Sequence, residues 1–169
     1  AIVSIAPGMR MIGRAATVRC LPGDSRGVIE LITTAAPGSV LAIDVGGSTS
    51  ATAWGGTSSL AASQRGLAGV VTNGAVRDVA DVRQTAFPVF SAGRSVRGTQ
   101  KNRPGEINVP IALGAAVIAP GDIIVGDDDG VVVLAKACLD EILEAAARQR
   151  EREDDIDRRV RAGEDLRFV

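Results

Sequence analysis

The chain contains no histidine and no tyrosine, and its aromatic residues are one Trp and three Phe. Without histidine there is no Ser-His-Asp or Cys-His nucleophilic system, no histidine zinc site and no imidazole general base. Cys20 and Cys138 are the two cysteines. Two thiols cannot build a four-thiolate metal site, and we expect them to be reduced and unpaired. Any chemistry must use carboxylates, Arg, Lys and backbone amides, with a hard cation where a metal takes part. No apolar run approaches the ~20 residues of a membrane span. No signal peptide with a basic start and an apolar middle is present. The net charge of −1 carries no basic footprint for nucleic acid. These absences predict a cytoplasmic protein with neither membrane nor direct nucleic-acid partners. The chain opens on Ala1 in mid-pattern, so a preceding segment is expected.

What is present is a core of aliphatic residues. Hydrophobic residues make up 46% of 169, a length suited to one domain. With so few aromatics the core must come from Val, Ile, Leu and Ala, which suits strands buried on both faces. The 20 Gly and 7 Pro fall between these segments as punctuation. Residues 15–20, 39–45, 67–72 and 87–91 read as strands. Residues 26–36, 57–65 and 78–85 read as helices between them. Residues 46–56 read as a Gly/Ser/Thr loop, Asn73-Gly74 as a turn, and 93–103 as a polar surface loop. Segments 108–119, 122–125 and 131–134 read as β, with Asp127-Asp128-Asp129-Gly130 as a hairpin turn. Residues 136–161 read as a C-terminal helix, heavily charged after Ala147. Alternating strands and helices followed by β segments predict a mixed sheet with helices packed on it.

One stretch combines features suited to chemistry. Strands 39–45 and 67–72 both end near residues 46–78, and ligands of α/β sheets gather beyond the carboxyl ends of strands. Gly55-Gly56-Thr57-Ser58 would open a helix, presenting free amides to an anion. Arg77 offers a planar fork for a carboxylate. Asp78 offers oxygen to Mg²⁺ or Mn²⁺. The simpler reading makes Asp78 a helix cap and Gly55-Gly56 an ordinary turn. Neither phosphate-loop signature is present. Lys101, Arg97 and Arg103 either line the mouth of this site or sit on a solvated loop. Ser48, Ser50 and Ser58 have no base to activate them. Trp54 packs into the core or beside the site loop.

Three runs then carry a resemblance: Gly13-Arg14-Ala15-Ala16-Thr17-Val18, Ala53-Trp54-Gly55-Gly56, and Arg65-Gly66-Leu67 continuing to Val76-Arg77-Asp78. With Phe87-Pro88-Val89-Phe90, Pro120-Gly121-Asp122 and Asp127 to Val133, the order resembles the RraA-like superfamily over residues 8–135. That superfamily holds 4-hydroxy-4-methyl-2-oxoglutarate aldolases, which also decarboxylate oxaloacetate, and the regulator of ribonuclease E activity. Members also carry the label demethylmenaquinone methyltransferase, for which this chain shows no S-adenosylmethionine loop.

The resemblance implies an α/β, three-layer β/β/α swivelling-domain fold over 1–169, with a mixed sheet and the C-terminal helix 136–161. It implies a homotrimer, often doubled to a hexamer, with sites between subunits. It assigns substrate polarisation to Arg77, Mg²⁺ or Mn²⁺ to Asp78, and the oxoacid carboxylate to the amides of Gly55, Gly56, Thr57 and Ser58. No organic cofactor is expected. In the aldolases an acidic residue stands 21 positions before the Arg. Here that position is Gly56. Glu151 or Glu153 is the candidate for an acid contributed by a neighbour. The expected activity is a metal-dependent lyase acting on small oxoacids of the pyruvate and oxaloacetate class. The alternatives are a non-catalytic protein-binding regulator of the ribonuclease E type and a metabolite-binding protein.

Overall fold

The computed structural model describes residues 1–165 and 167. The chain forms two compact units, Ala1–Ala135 and Lys136–Val169.

In the first unit, strand β1 (Val3–Ser4) precedes three strand–helix–strand crossovers. They are β2 (Met11–Arg19), α1 (Arg26–Thr34) and β3 (Ser39–Asp44); then β4 (Thr52–Trp54), α2 (Gly56–Gln64) and β5 (Gly69–Val76); then α3 (Val79–Thr85) and β6 (Val89–Arg94). Short β7 (Glu106–Ile107) and the hairpin β8 (Ile111–Leu113) and β9 (Ala116–Ile118) follow. The hairpin β10 (Ile123–Asp127) and β11 (Gly130–Leu134) closes the unit.

Nine strands form one sheet in the order β1-β6-β5-β3-β2-β10-β11, with β4 added to β5 and β7 to β2. Its centre, β2-β3-β5-β6, is parallel; its flanks are antiparallel. The sheet curls until β1, at one end, touches β11 at the other. Helices α1, α2 and α3 neighbour one another in sequence order, and the β8–β9 hairpin lies against β2 and β3 as a second β layer. The expected α/β fold with a mixed sheet is therefore what the chain adopts.

The central strands explain why an aliphatic sequence suffices. Val40, Leu41, Ala42 and Ile43 of β3 are all fully buried, as are Val70 and Val71 of β5. A run of consecutive apolar residues is what a parallel strand covered on both faces requires. Each such Val, Leu or Ile contributes roughly 1.5–3 kcal/mol. Helix α1 turns Val28, Leu31 and Ile32 inward at helical spacing. Helix α2 stops at Gly66, whose φ of 67° is the left-handed conformation that glycine adopts freely; Leu67 N–H then reaches back to Ala62 O.

Two local expectations change. Asn73-Gly74 is not a turn: β5 continues through it to Val76, with a shift of register against β6 between Thr72 and Ala75. The Asn73 side chain serves the neighbours instead. Its Oδ1 accepts the Val45 amide at 2.9 Å and its Nδ2 donates to Asp44 Oδ1 at 2.7 Å. Gly74 is there for space, since a Cβ would lie 2.5 Å from Val45 Cγ2. Residues 46–56 are not all loop either, because Thr52–Trp54 forms β4 and pairs in parallel with β5. The Asp127–Gly130 turn forms as expected: Asp127 pairs with Gly130, and Asp128 accepts the Gly8 amide at 2.7 Å.

The second unit opens with a 3-10 turn, Lys136–Cys138, and continues as helix α4 (Leu139–Arg161). Exposed pairs such as Glu144–Arg148 and Arg150–Asp154 sit at i,i+4 spacing, each adding ~0.3–0.5 kcal/mol. Both cysteines are free thiols, and burial pushes the Cys20 thiol up to about 11. No helix among the described residues is long and apolar enough to cross a membrane.

Candidate functional site

Strand β5 delivers Arg77 at its carboxyl end, and the Arg77 amide donates to Trp54 O at 3.0 Å. That bond continues the β4–β5 pairing and brings the Gly55–Gly56 step alongside Arg77-Asp78. Glycine leaves room here for the Arg77 and Asp78 side chains. A Cβ on Gly55 would stand 2.8 Å from Asp78 Oδ2 and 3.2 Å from Arg77 Cγ.

Asp78 occupies the position ahead of α3 with φ 55° and ψ 40°. This left-handed conformation costs a non-glycine residue roughly 1–2 kcal/mol, although Asp tolerates it better than most. The carboxylate does not cap α3: it makes no side-chain bond to that helix's first turn. Instead Oδ2 lies 3.3 Å from Arg77 Nε and accepts the Gly56 amide at 3.2 Å. Backbone strain here turns the carboxylate away from its own helix and toward the start of α2.

Helix α2 starts without a side-chain cap, because its leading residue is Gly55. The Gly56 amide is used by Asp78. The Thr57 and Ser58 amides, next in the same turn, have no helical carbonyl ahead of them to bind. Trp54 is buried, donates from Nε1 to Ser59 Oγ at 2.7 Å and stacks on Phe87 at 5.9 Å. Position 56 itself is crowded. A Cβ there would meet Asp81 Cβ at 3.0 Å and Asp78 Cβ at 3.3 Å. Asp81 thus brings a second carboxylate beside Gly56.

Around these groups lies a cavity of about 390 Å³. Gly55, Thr57, Ser58, Arg77 and Asp78 all line it; Gly56 does not. One wall is hydrocarbon, from Val28, Ile29 and Ile32 of α1 and Ala61 of α2. Lys101 lines the same cavity, whereas Arg97 and Arg103 do not. An apolar chamber with two cations and open helix amides suits a small organic anion.

Sequence reasoning left the role of Lys101 open and missed Asp24, which holds the Lys101 segment. Asp24 is buried, and its carboxylate accepts the amides of Arg26, Asn102 and Arg103 at 2.9–3.0 Å. Those hydrogen bonds, led by the Arg26 amide, hold its pKa below the ordinary 3.8. The bonds favour the charged form in the folded chain only. Their stabilisation is therefore complete above 3.8 and is lost as pH falls through the lower folded value. Acid unfolding followed by circular dichroism should show this slope, and Asp24→Asn should flatten it. An identical acid limb in both chains would contradict the assignment.

Among the described residues no three carboxylate or thiol groups converge as a metal cage. What remains is Asp78, with Asp81 near. Such a donor set fits Mg²⁺, which keeps several waters and binds through one or two carboxylates.

The comparisons bear on family and fold. The family model described as RraA-like, Aldolase/RraA, matches residues 1–133. An uncharacterized protein of Methanocaldococcus jannaschii is 40% identical over 94% of this chain and 77% of its own length. A protein of Halalkalibacterium halodurans, provisionally named 4-hydroxy-4-methyl-2-oxoglutarate aldolase, is 36% identical over 83% of this chain and 67% of its own. The solved structure of the RNA-processing inhibitor RraA from Thermus thermophilus superposes with a TM-score of 0.73 at 30% identity, covering 79% of this chain and 80% of that one.

Proposed function

The chain belongs to the RraA-like family, and on that premise we propose that it is a lyase that breaks a carbon–carbon bond in small 2-oxoacids. The reactions are retro-aldol cleavage of 4-hydroxy-4-methyl-2-oxoglutarate-like acids and decarboxylation of oxaloacetate. The observation that carries this reading is the joint placement of Arg77, Asp78 and the α2 amides on one cavity. The provisional aldolase name of the Halalkalibacterium relative supports it.

In this mechanism the Thr57 and Ser58 amides bind the C1 carboxylate. The Arg77 guanidinium, with Nε toward Asp78, directs its terminal amines at the C2 carbonyl oxygen. In cleavage the C3–C4 bond breaks, and its electron pair moves toward C2 as an enolate. The C4 hydroxyl gives up its proton and becomes a carbonyl, and C3 takes a proton to release pyruvate. In decarboxylation the same bond breaks and CO₂ leaves. Arg77 lowers the barrier by meeting the charge that develops on the C2 oxygen. A bound Mg²⁺ or Mn²⁺, held by Asp78, would supply further charge stabilisation. The hydrocarbon wall from α1 keeps bulk water from the reacting carbons and strengthens these electrostatics. The active form in this reading is a homotrimer or hexamer, with Glu151 or Glu153 of a neighbour completing the acid set.

The test is pyruvate release from oxaloacetate and from 4-hydroxy-4-methyl-2-oxoglutarate, with Mg²⁺, with Mn²⁺ and with excess chelator. Turnover that falls at least a hundredfold with chelator and returns with metal is expected. Release no faster than the buffer rate with both metals ends the proposal. The RraA structure favours a second reading, inhibition of RNA processing. Binding of a ribonuclease at micromolar concentration by a chain without lyase turnover would select it.

A further inference from the structure

The segment carrying Lys101 is held from both ends by Gly23, Asp24 and Ser25, just ahead of α1. Gln100 donates its amide to Gly23 O at 2.8 Å and accepts the Ser25 amide at 2.9 Å, forming a parallel bridge between Asp24 and Gln100. On the other side of Lys101, the Asn102 and Arg103 amides both converge on Asp24 Oδ2, at 3.0 and 2.9 Å. Asp24 Oδ1 meanwhile takes the Arg26 amide at the head of α1. The Thr99 hydroxyl completes the seam by donating to Ser25 Oγ at 2.8 Å. Residues 99–103 have no helix and only an isolated bridge to hold them, so these ties set where Lys101 stands. The Lys101 side chain forms no ion pair among the described residues. Its ammonium remains available to a ligand, and the cavity it faces also contains Arg77.

We propose that Asp24 is a positioning residue: its buried carboxylate sets the 100–103 segment so that Lys101 presents a second cation to an anionic ligand bound at Arg77. Asp24 touches no ligand and acts through Lys101. The inference rests on the anion-binding cavity of the proposed function but not on turnover there. A buried carboxylate is suited to this task. It gathers amide hydrogens from a loop and a helix start at a single point, and a neutral side chain of the same size offers fewer acceptor sites.

The test is a double-mutant cycle read by ligand binding. Trp54 is the one tryptophan and lines the cavity, so its fluorescence reports occupancy without any reaction. Oxalate is the probe, titrated into the full chain and into Asp24→Ala, Lys101→Met and the double variant. Asp24→Asn keeps one acceptor oxygen and serves if Asp24→Ala does not fold. Lys101→Met should weaken oxalate binding about tenfold or more, and Asp24→Ala by a similar factor. The double variant should bind no more weakly than Lys101→Met alone, because groups acting through one another do not add. With oxaloacetate as substrate, Asp24→Asn should raise KM while kcat stays within about twofold. Full additivity, or unchanged oxalate binding in the Asp24 variants, overturns the inference. No oxalate binding by the unaltered chain overturns both this inference and the proposed function. Binding that follows the predicted cycle in a chain without turnover supports Asp24 and removes only the lyase.

Discussion

Arg77→Ala should lower kcat/KM for oxaloacetate by about 10³, the loss of one well-placed donor to a developing oxyanion together with a charged carboxylate contact. Most of that loss should appear in kcat, because the guanidinium meets charge that forms as the C3–C4 bond breaks. Arg77→Lys should recover only a small part. A lysine restores the charge but not the planar fork that faces Asp78 and the ligand together. The fold should be unaffected. Arg77 is 45% exposed and its contact with Asp78 spans 3.3 Å, so the pair contributes less than about 1 kcal/mol. Steady-state rates and a thermal melt on the same preparations check both halves. A drop below about tenfold in kcat/KM would remove Arg77 from the chemistry.

Gly13→Ala should be the most damaging single methyl group on the parallel sheet. Gly13 lies on β2 where the chain enters β3 through the Pro37-Gly38 turn. A Cβ at Gly13 would lie 2.3 Å from Gly38 O, with the Val40 amide nitrogen at 3.2 Å. The nearest obstacle is a backbone carbonyl, so a rotamer change at Val40, whose Cγ2 would lie at 3.1 Å, does not relieve the clash. Overpacking of this kind costs about 3 kcal/mol, equivalent to a fall of about 10 °C in Tm for a domain of this size. Gly98→Ala is the matched control. Its Cβ would meet nothing nearer than Arg77 Nη1 at 3.4 Å, and it should melt with the parent chain. A Gly13→Ala chain within about 2 °C of the parent would contradict the contact.

The central sheet was legible because its strands announce themselves as short aliphatic runs bounded by Gly and Pro. Arg77 and Asp78 were legible because they follow one of those runs, where parallel sheets place ligands. The misread parts have no local signal. Thr52–Trp54 lies inside a Gly/Ser/Thr stretch and becomes a strand because β5 offers it a free edge. Asn73-Gly74 has the composition of a turn. Its side-chain bonds to Asp44 and Val45 and the lack of space at Gly74 decide otherwise. The direction of the Asp78 carboxylate depends on a left-handed backbone that composition does not encode. Asp24 was invisible as a site residue because its partners lie 78 and 79 positions further along the chain.

That separation bears on how the molecule assembles. Crossovers β2-α1-β3, β4-α2-β5 and β5-α3-β6 join neighbours in sequence, within residues 11–94. The tie from Asp24 to Asn102 and Arg103 closes a far longer loop, and its entropic cost is met before any contact repays it. It also needs the head of α1 already in place as its anchor. Refolding followed simultaneously by backbone circular dichroism and by Trp54 response to oxalate would separate the two events. The expected order is the parallel centre β2-β3-β5-β6 first, from its local crossovers, and the oxalate response second, because the chamber waits on this long-range tie.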